Sequence, residues 1–368
     1  MIGIGPNSRA LGGTGIASAQ DAVSAVFSNP AVMCLSESCS QPQFDFSLTT
    51  FMPKVNSTFG GINAKSDSDL YFIPALGVSL PVGGEGSHWR AGFAIYGVSG
   101  LGVDYQNAGF SAGIPFDYTE LQILKIAPSV AYAVTPDISI GASMHIQYAS
   151  LEIGSHNTFL PPGAPPMAGK YDDTDWAMGL QLGATWKISE CLTAGLTYTT
   201  AQKNDFDDVM PNPGGPVDFS LEAPQQAGAG ISWVGLKDRL TLSGDIKWFN
   251  WSDAAGYSDF GWNDQWTFGV GAQYEVIEDK LVVRVGYNYG ESPVESIDAM
   301  TDMGGLIGFP AIVEHHVTLG MGYQINEKFI LNLSWVHAFE NTVKSDYVAG
   351  LESTMYQDTI DVGLSWRF

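Results

Sequence analysis

Residues 138–148 read ISIGASMHIQY. Ile138, Ile140, Ala142, Met144, Ile146 and Tyr148 alternate with Ser139, Gly141, Ser143, His145 and Gln147. A period of two places the two sets on opposite faces of an extended strand. One face is apolar and ends in an aromatic ring; the other is small or polar. The end of the chain repeats this, with Ile360, Val362, Leu364, Trp366 and Phe368 opposite Asp361, Gly363, Ser365 and Arg367. Greasy on one side and charged on the other, such strands fit a sheet with lipid outside and a polar lumen inside.

Composition agrees. The 368 residues include 16 Lys or Arg against 39 Asp or Glu, a formal net charge of -23. Charged residues make up 15%, where soluble domains carry about a quarter. No apolar run approaches the ~20 residues of a membrane-spanning helix. With 43 glycines and 12% aromatics, the chain suits a transmembrane antiparallel β-barrel, all-β in class. The acidic balance argues against nucleic acid, whose phosphates attract basic surfaces, and against adsorption to anionic headgroups. The stretch Met1 to Gly5 has neither the basic nor the apolar part of a signal peptide. The numbering is therefore expected to start at a mature N-terminus, in a shortened chain or at a misplaced start.

Residues 1–42 do not alternate; Ala, Ser and Gly dominate, with a helix-capable piece from Asp21 to Phe27 and the turn signal Asn29-Pro30. From Gln43 onward about fourteen strand candidates follow, from 43–59 to 354–368. Their connections alternate. Thr135-Pro136-Asp137, Ser189-Glu190, Leu236-Lys237-Asp238, Glu278-Asp279 and Asn326-Glu327 are tight; 100–119, 153–173, 204–222, 251–263, 291–313 and 341–353 are long. Short turns at one end and long loops at the other mark outer-membrane barrels. Closure is required, because an open edge in hydrocarbon strands unpaired N–H and C=O groups at several kcal/mol each. Trp248, Trp335, Trp366, Tyr132 and Tyr148 fall near strand ends on the outward face, where interfacial aromatics belong. Cys34 and Cys39 either bridge a small loop or stay reduced; too few partners lie nearby for zinc.

These residues carry a resemblance. Ser8 to Gly13 (SRALGG), Ala19 to Ala22 (AQDA) and Phe27 to Ala31 (FSNPA) are similar to the start of the FadL family of outer-membrane transporters for long-chain fatty acids and other hydrophobic compounds. Tyr96-Gly97 to Tyr105, Pro128 to Tyr132 (PSVAY), Asp245 to Ser252 (DIKWFNWS), Arg284 to Tyr287 and Ser292 to Val294 follow in the family's order. The resemblance implies a barrel of about fourteen strands over 43–368, plugged by an N-terminal hatch, residues 1–42. It implies no enzyme activity and no cofactor. The ligand, a fatty acid, alkane or aromatic hydrocarbon, would leave sideways through the wall where the third strand kinks. Asn29, Pro30 and Ala31 map to the hatch contact, and Gly97, Val98, Ser99 and Gly100 to the kink. Glycines inside a strand independently suggest a bulge or a broken ladder.

For ligand contacts the long loops offer Phe110, Phe116, Phe159, Leu160, Met167, Phe206, Met210 and Phe219. Such residues either trap a hydrophobic ligand or pack among themselves. Fatty-acid members hold the carboxylate with basic side chains, yet the neighbourhoods of Glu152 and Trp266 lack them. By parity the inward bases are Lys125, Lys247 and Arg284; Lys125 and Arg284 are candidate ligand contacts, while Lys247 can instead pair with Asp245 and Arg284 form a lumen salt bridge. Expected partners are hydrophobic small molecules, outer-membrane lipid with lipopolysaccharide, and the barrel-assembly machinery through Phe368; a monomer is expected, in the outer membrane of a Gram-negative bacterium. Rival readings are a general porin, a loop-based adhesin and, from Gly109 to Gly113 (GFSAG), an esterase, though a nucleophile elbow needs a strand before it and a helix after. His315-His316 alternate faces, which is poor for one metal. Asp172, Asp173 and Asp175 read as a solvated loop or a divalent-ion site.

Overall fold

A computed structural model describes residues 2–18, 20–34, 42–83, 87–107, 117–155, 169–212 and 214–368. The strands are β1 (Gln43–Phe59), β2 (Ile62–Lys65), β3 (Tyr71–Val82), β4 (Trp89–Asp104), β5 (Tyr118–Ala133), β6 (Ile138–Ser155), β7 (Gly169–Ser189), β8 (Leu192–Thr199), β9 (Gln202–Met210) and β10 (Val217–Ala223). They continue as β11 (Gln226–Gly235), β12 (Leu240–Phe249), β13 (Gln265–Ile277), β14 (Leu281–Gly290), β15 (His315–Gln324), β16 (Phe329–Lys344) and β17 (Glu352–Arg367). Each wall strand pairs antiparallel with the next, and β17 pairs with β1 from Gln43↔Arg367 to Thr58↔Glu352. Fourteen strands close the ring. β2 is a short addition to the top of β1, while β9 and β10 form a separate ribbon.

The alternation read from sequence is the wall's inside and outside. Along β6, Ile140 and Met144 are exposed, whereas Ser139, Ser143, His145 and Gln147 are buried. Outward aromatics gather at two levels. At the short-turn end stand Trp89, Trp186 and Trp366; at the other end, Tyr148 packs on Trp176 with ring centroids 5.1 Å apart. Beyond that upper level the outward residues turn polar: Ser150, Glu152, Thr174 and Asp172. The Trp335 indole donates to Asp358 (3.1 Å). Amphipathic rings settle where hydrocarbon meets headgroups. Among the described residues no helix is long and apolar enough to cross a membrane.

The tight turns sit where expected, with Leu236, Lys237, Asp238 and Asp279 in left-handed conformations that close them. The long connections are less irregular than the sequence suggested. The stretch expected as loop 204–222 contains most of the β9–β10 ribbon, and 291–313 holds α3 (Ala299–Gly308), capped by Asp298, which accepts the N–H groups of Met300 and Thr301. The ribbon is pinned to β7: the Asp205 and Asp207 N–H groups donate to Asp175 (2.9 Å) and Asp173 (2.8 Å). Those carboxylates thus position a ribbon; among the described residues no group of three His, Cys, Asp or Glu could hold a metal. Residues 109–113 and Cys39 lie outside the described residues.

The N-terminal segment runs inside the ring. Its helices are α1 (Gly5–Ala10), with Pro6 in the first turn, and α2 (Ala22–Ser28), whose N-cap Asp21 accepts the Ser24 N–H at 2.7 Å; a 3-10 turn, Pro30–Cys34, follows. Helices this short cannot stand alone; contacts with the wall hold them. Arg9 donates to Asp361 (2.6 Å) and Thr49 (2.7 Å). Thr318 donates to the Ala10 carbonyl, Asn288 to that of Gly12, and Asp245 accepts the N–H groups of Gly15 and Ile16. Inward glycines on the wall make the seat. A Cβ on Gly183, Gly195 or Gly286 would stand 1.9 Å from Asn29 Oδ1, 2.1 Å from the Ile16 carbonyl or 2.2 Å from the Gly12 nitrogen. At Gly195 and Gly286 the two backbones approach too closely for any side chain, and at Gly183 the Asn29 amide fills the place.

Candidate functional site

Pairing of β3 with β4 runs from Val82↔Trp89 to Ala75↔Tyr96 and stops. Above that, Tyr71 to Pro74 bond only to β1, and residues 97–104 of β4 bond only to β5. The cause lies in β4, third strand of the wall. Gly97 pairs with Leu124 and Ser99 with Ile123, so Val98 is an extra residue, a β-bulge. One inserted residue reverses the strand's faces. Below the bulge the even positions Arg90, Ala94 and Tyr96 are buried inside; above it the odd positions Val103 and Tyr105 are. The strand swings from its neighbour and leaves a window. Its lower edge is the Ala75–Tyr96 pair, and its upper edge the Asp67 N–H bond to the Asp104 carbonyl (2.9 Å). Gly97 pairs with Leu124, Leu124 with Tyr148 and Tyr148 with Trp176, so the hydrogen-bond ladder ties the lower part of the window to the strands that carry the Tyr148–Trp176 pair.

A cavity of about 410 Å³ lies behind the window. Ile73, Val98, Leu101 and Ile123 form its window side, and Phe27 and Ser28 of the N-terminal segment its floor. On the far side Trp251, Tyr257 and Trp262 form a cluster, with centroids 4.6–4.8 Å apart. A lid of packed loops shuts the top: Phe260 stacks on Phe309 (5.2 Å), and Thr119 on the wall donates to the Gly308 carbonyl (2.6 Å). The lining is mostly apolar, as ligand cavities are, with a few polar groups.

Of the inward bases, Lys125 lines this cavity, is 7% exposed, and has no hydrogen-bond or ion-pair partner among the described residues. Lys247 also lines it but donates to the Gly13 carbonyl (2.8 Å), not to Asp245, whose carboxylate is taken by Gly15 and Ile16. Arg284 does not reach the cavity. It donates to Gln273 (2.8 Å) and Asn332 (3.5 Å), and it forms no ion pair among the described residues, so the lumen salt bridge expected for it is replaced by bonds to two amides.

Asn29, Pro30 and Ala31 are buried, but against β6 to β8 rather than the bulge: Asn29 donates to the Ile16, Ala184 and Leu196 carbonyls, and Ser139 donates to that of Ala31. The residue of the N-terminal segment near the bulge is Phe27, edge-on to Tyr96 at 5.5 Å. Phe206 is buried in the lid core, with Met210 and Phe219 packed against it, so these loop side chains pack among themselves. Phe110, Phe116, Phe159, Leu160 and Met167 lie outside the described residues. Sequence reasoning missed Trp251, Tyr257 and Trp262; the density of rings in 249–262 was the signal available.

The sequence model of the family described as "Outer membrane protein transport protein (OMPP1/FadL/TodX)" matches residues 3–360. Among solved structures, the P. putida toluene transporter TodX is similar at 20% identity, with a TM-score of 0.75 and coverage of 100% of this chain and 99% of that one. A Pseudomonas aeruginosa FadL homologue is similar at 16% identity and TM-score 0.77, covering 100% and 98%. CymD, a monoaromatic hydrocarbon channel, is similar at 18% identity and TM-score 0.68, again covering 100% and 98%. No curated protein matches the chain.

Proposed function

Because this chain belongs to the OMPP1/FadL/TodX family of outer-membrane transport proteins, we propose that it takes up hydrophobic small molecules through the 410 Å³ cavity and releases them sideways through the β3–β4 window. Residues 1–42 act as a hatch and 43–368 as the barrel. The observation that carries the reading is the bulge at Val98, with residues 97–104 beyond it unpaired on the β3 side and apolar cavity residues behind. A greasy solute gains about 25 cal/mol per Å² of apolar surface kept from water. The window opens through the barrel wall rather than along the bore, so leaving through it keeps that surface covered. An aqueous path past the hatch would expose it, and the filled bore argues against a general porin.

Two ligand chemistries each have an observation in favour. The aromatic cluster of Trp251, Tyr257 and Trp262 suits a ring, since aromatic pairs gain about 0.5–1.5 kcal/mol beyond area burial; TodX and CymD are described as carrying toluene and monoaromatic hydrocarbons. The unpartnered Lys125 amine suits an acid with a long apolar tail. Oleate, an alkane and toluene titrated side by side into the detergent-solubilised protein separate them. Saturable binding of at least one is expected, and saturation by none would remove the transport reading. If Lys125 holds a carboxylate, Lys125→Met lowers oleate affinity roughly tenfold to a hundredfold, the equivalent of a charge-assisted bond of about 1.5–3 kcal/mol. Toluene affinity stays the same. Equal oleate binding by both proteins would free Lys125 of that role.

A further inference from the structure

One corner of the cavity is polar in a way its apolar walls do not explain. Lys125 on β5 pairs in register with Gln147 on β6; His145 lies two residues away on the same inward face, and Gly179 on β7 stands opposite His145. Gly179 has no side chain, and Gln202 of the ribbon takes the place: a Cβ there would stand 2.5 Å from Gln202 Cγ. Lys125, His145, Gln147, Gln181 and Gln202 thus form one inward patch, each 7% exposed or less. Lys125, Gln181 and Gln202 line the cavity itself.

The hydrogen bonds around the patch fix which way each amide points. Asn204 donates to the Asp175 carboxylate (3.4 Å), so its own carbonyl accepts from Gln147 (2.5 Å) and the Gln147 oxygen is left over. Gln202 donates to the Thr200 carbonyl (2.8 Å), which leaves its oxygen over as well. Turning either amide round would set oxygen against oxygen. Gln181 spends its NH2 on the Phe27 and Ser28 carbonyls (2.9 and 3.3 Å) and turns its oxygen to His145. The oxygens of Gln147 and Gln202 have no donor. Beside them the Lys125 ammonium, a donor with no lone pair to offer, bonds to neither and has no acceptor among the described residues.

This mixture selects among ligands. A carboxylate could accept from the amine but brings no hydrogen to the amide oxygens, whose partial negative charge would face its own. A hydrocarbon satisfies neither side. A hydroxyl satisfies both, accepting from Lys125 and donating to an amide oxygen. Resting on the reading of this cavity as a ligand site, we infer that its preferred cargo is a neutral apolar molecule bearing one hydroxyl, an alcohol or a phenol, with that hydroxyl held by the Lys125 amine and the Gln202 carbonyl.

Three compounds with one common ring test this: p-xylene, 4-methylphenol and 4-methylbenzoate, each titrated calorimetrically into the full chain in detergent against a detergent blank. 4-Methylphenol is expected to bind about tenfold more tightly than either of the others, although water holds it better than p-xylene. Lys125→Met and Gln202→Met should each abolish that preference and leave p-xylene affinity within about twofold. Equal binding of p-xylene and 4-methylphenol overturns the inference while the cavity remains a ligand site, and so does a preference that survives both substitutions. Tightest binding of 4-methylbenzoate overturns it in favour of an acid. Saturation by none of the three overturns it too, and the titration with oleate, an alkane and toluene then tells whether the cavity reading falls with it. If one variant gives no folded barrel by heat-shifted gel mobility, the other variant and the wild-type order decide.

Discussion

In a chain carrying Ile73→Cys and Gly97→Cys, with the native cysteines replaced by serine, oxidation is expected to stop ligand uptake and reduction to restore it. The two positions face each other across the lower part of the window. A Cβ built on Gly97 lies 3.9 Å from Ile73 Cβ, inside the roughly 3.5–4.5 Å that a disulfide spans. The bridge would continue the pairing that ends at Ala75↔Tyr96. Wall strands elsewhere are already paired, so the fold has nothing to lose, and heat-shifted mobility on a gel would confirm an intact barrel. Uptake should fall about tenfold or more, the change that roughly 1.4 kcal/mol on a barrier produces. The ligand would then have to cross water to leave. Unchanged uptake in the oxidised protein, with binding retained, would exclude the window as the exit while leaving the cavity as the binding site.

Arg9→Ala is expected to loosen the N-terminal segment from the barrel. The guanidinium bonds Asp361 on β17, Thr49 on β1 and the Gly3 carbonyl, and the ion pair is buried at both ends. Removing it leaves the Asp361 carboxylate enclosed, with Thr49 and Ser334 as its remaining donors. Breaking one side of such a pair costs about 3–5 kcal/mol. The loss falls on α1, whose six residues have no stability of their own. Conductance steps in planar bilayers, absent from wild type, and new protease cuts before Asp21 are the readouts. The double variant Arg9→Ala with Asp361→Ala should recover part of the loss, because no charge is then stranded. A silent, protease-resistant Arg9→Ala would show that the remaining bonds of the N-terminal segment, to Thr318, Asn288 and Asp245, suffice alone.

The kink was legible in part. A run of small residues from Gly97 to Gly100 inside a strand suggested a bulge, and Gly97 and Ser99 flank it. Its consequence was not legible. Glycine and serine carry no apolar signal to show which face a residue takes, so nothing local announced that Leu101, Val103 and Tyr105 change phase and turn inward. The basic residues show the same limit. Parity placed Lys125, Lys247 and Arg284 inside the lumen but could not say at what height or opposite what. Only Lys125 stands at the cavity without a partner.

What the amino-acid order determined by itself is whatever a period of two and a turn can encode: the lipid face, the lumen face, the strand count, and which end bears the long loops. Those are contacts between a residue and its medium, and each strand settles them alone. What only the tertiary structure decided are contacts across the bore. Arg9 finds Asp361 only once β17 has closed on β1, Asn29 meets Gly183 only when the leading segment has taken its path, and the window exists only because two strands, each well formed, diverge at one inserted residue. Such pairings depend on register and closure, and no local pattern carries that information.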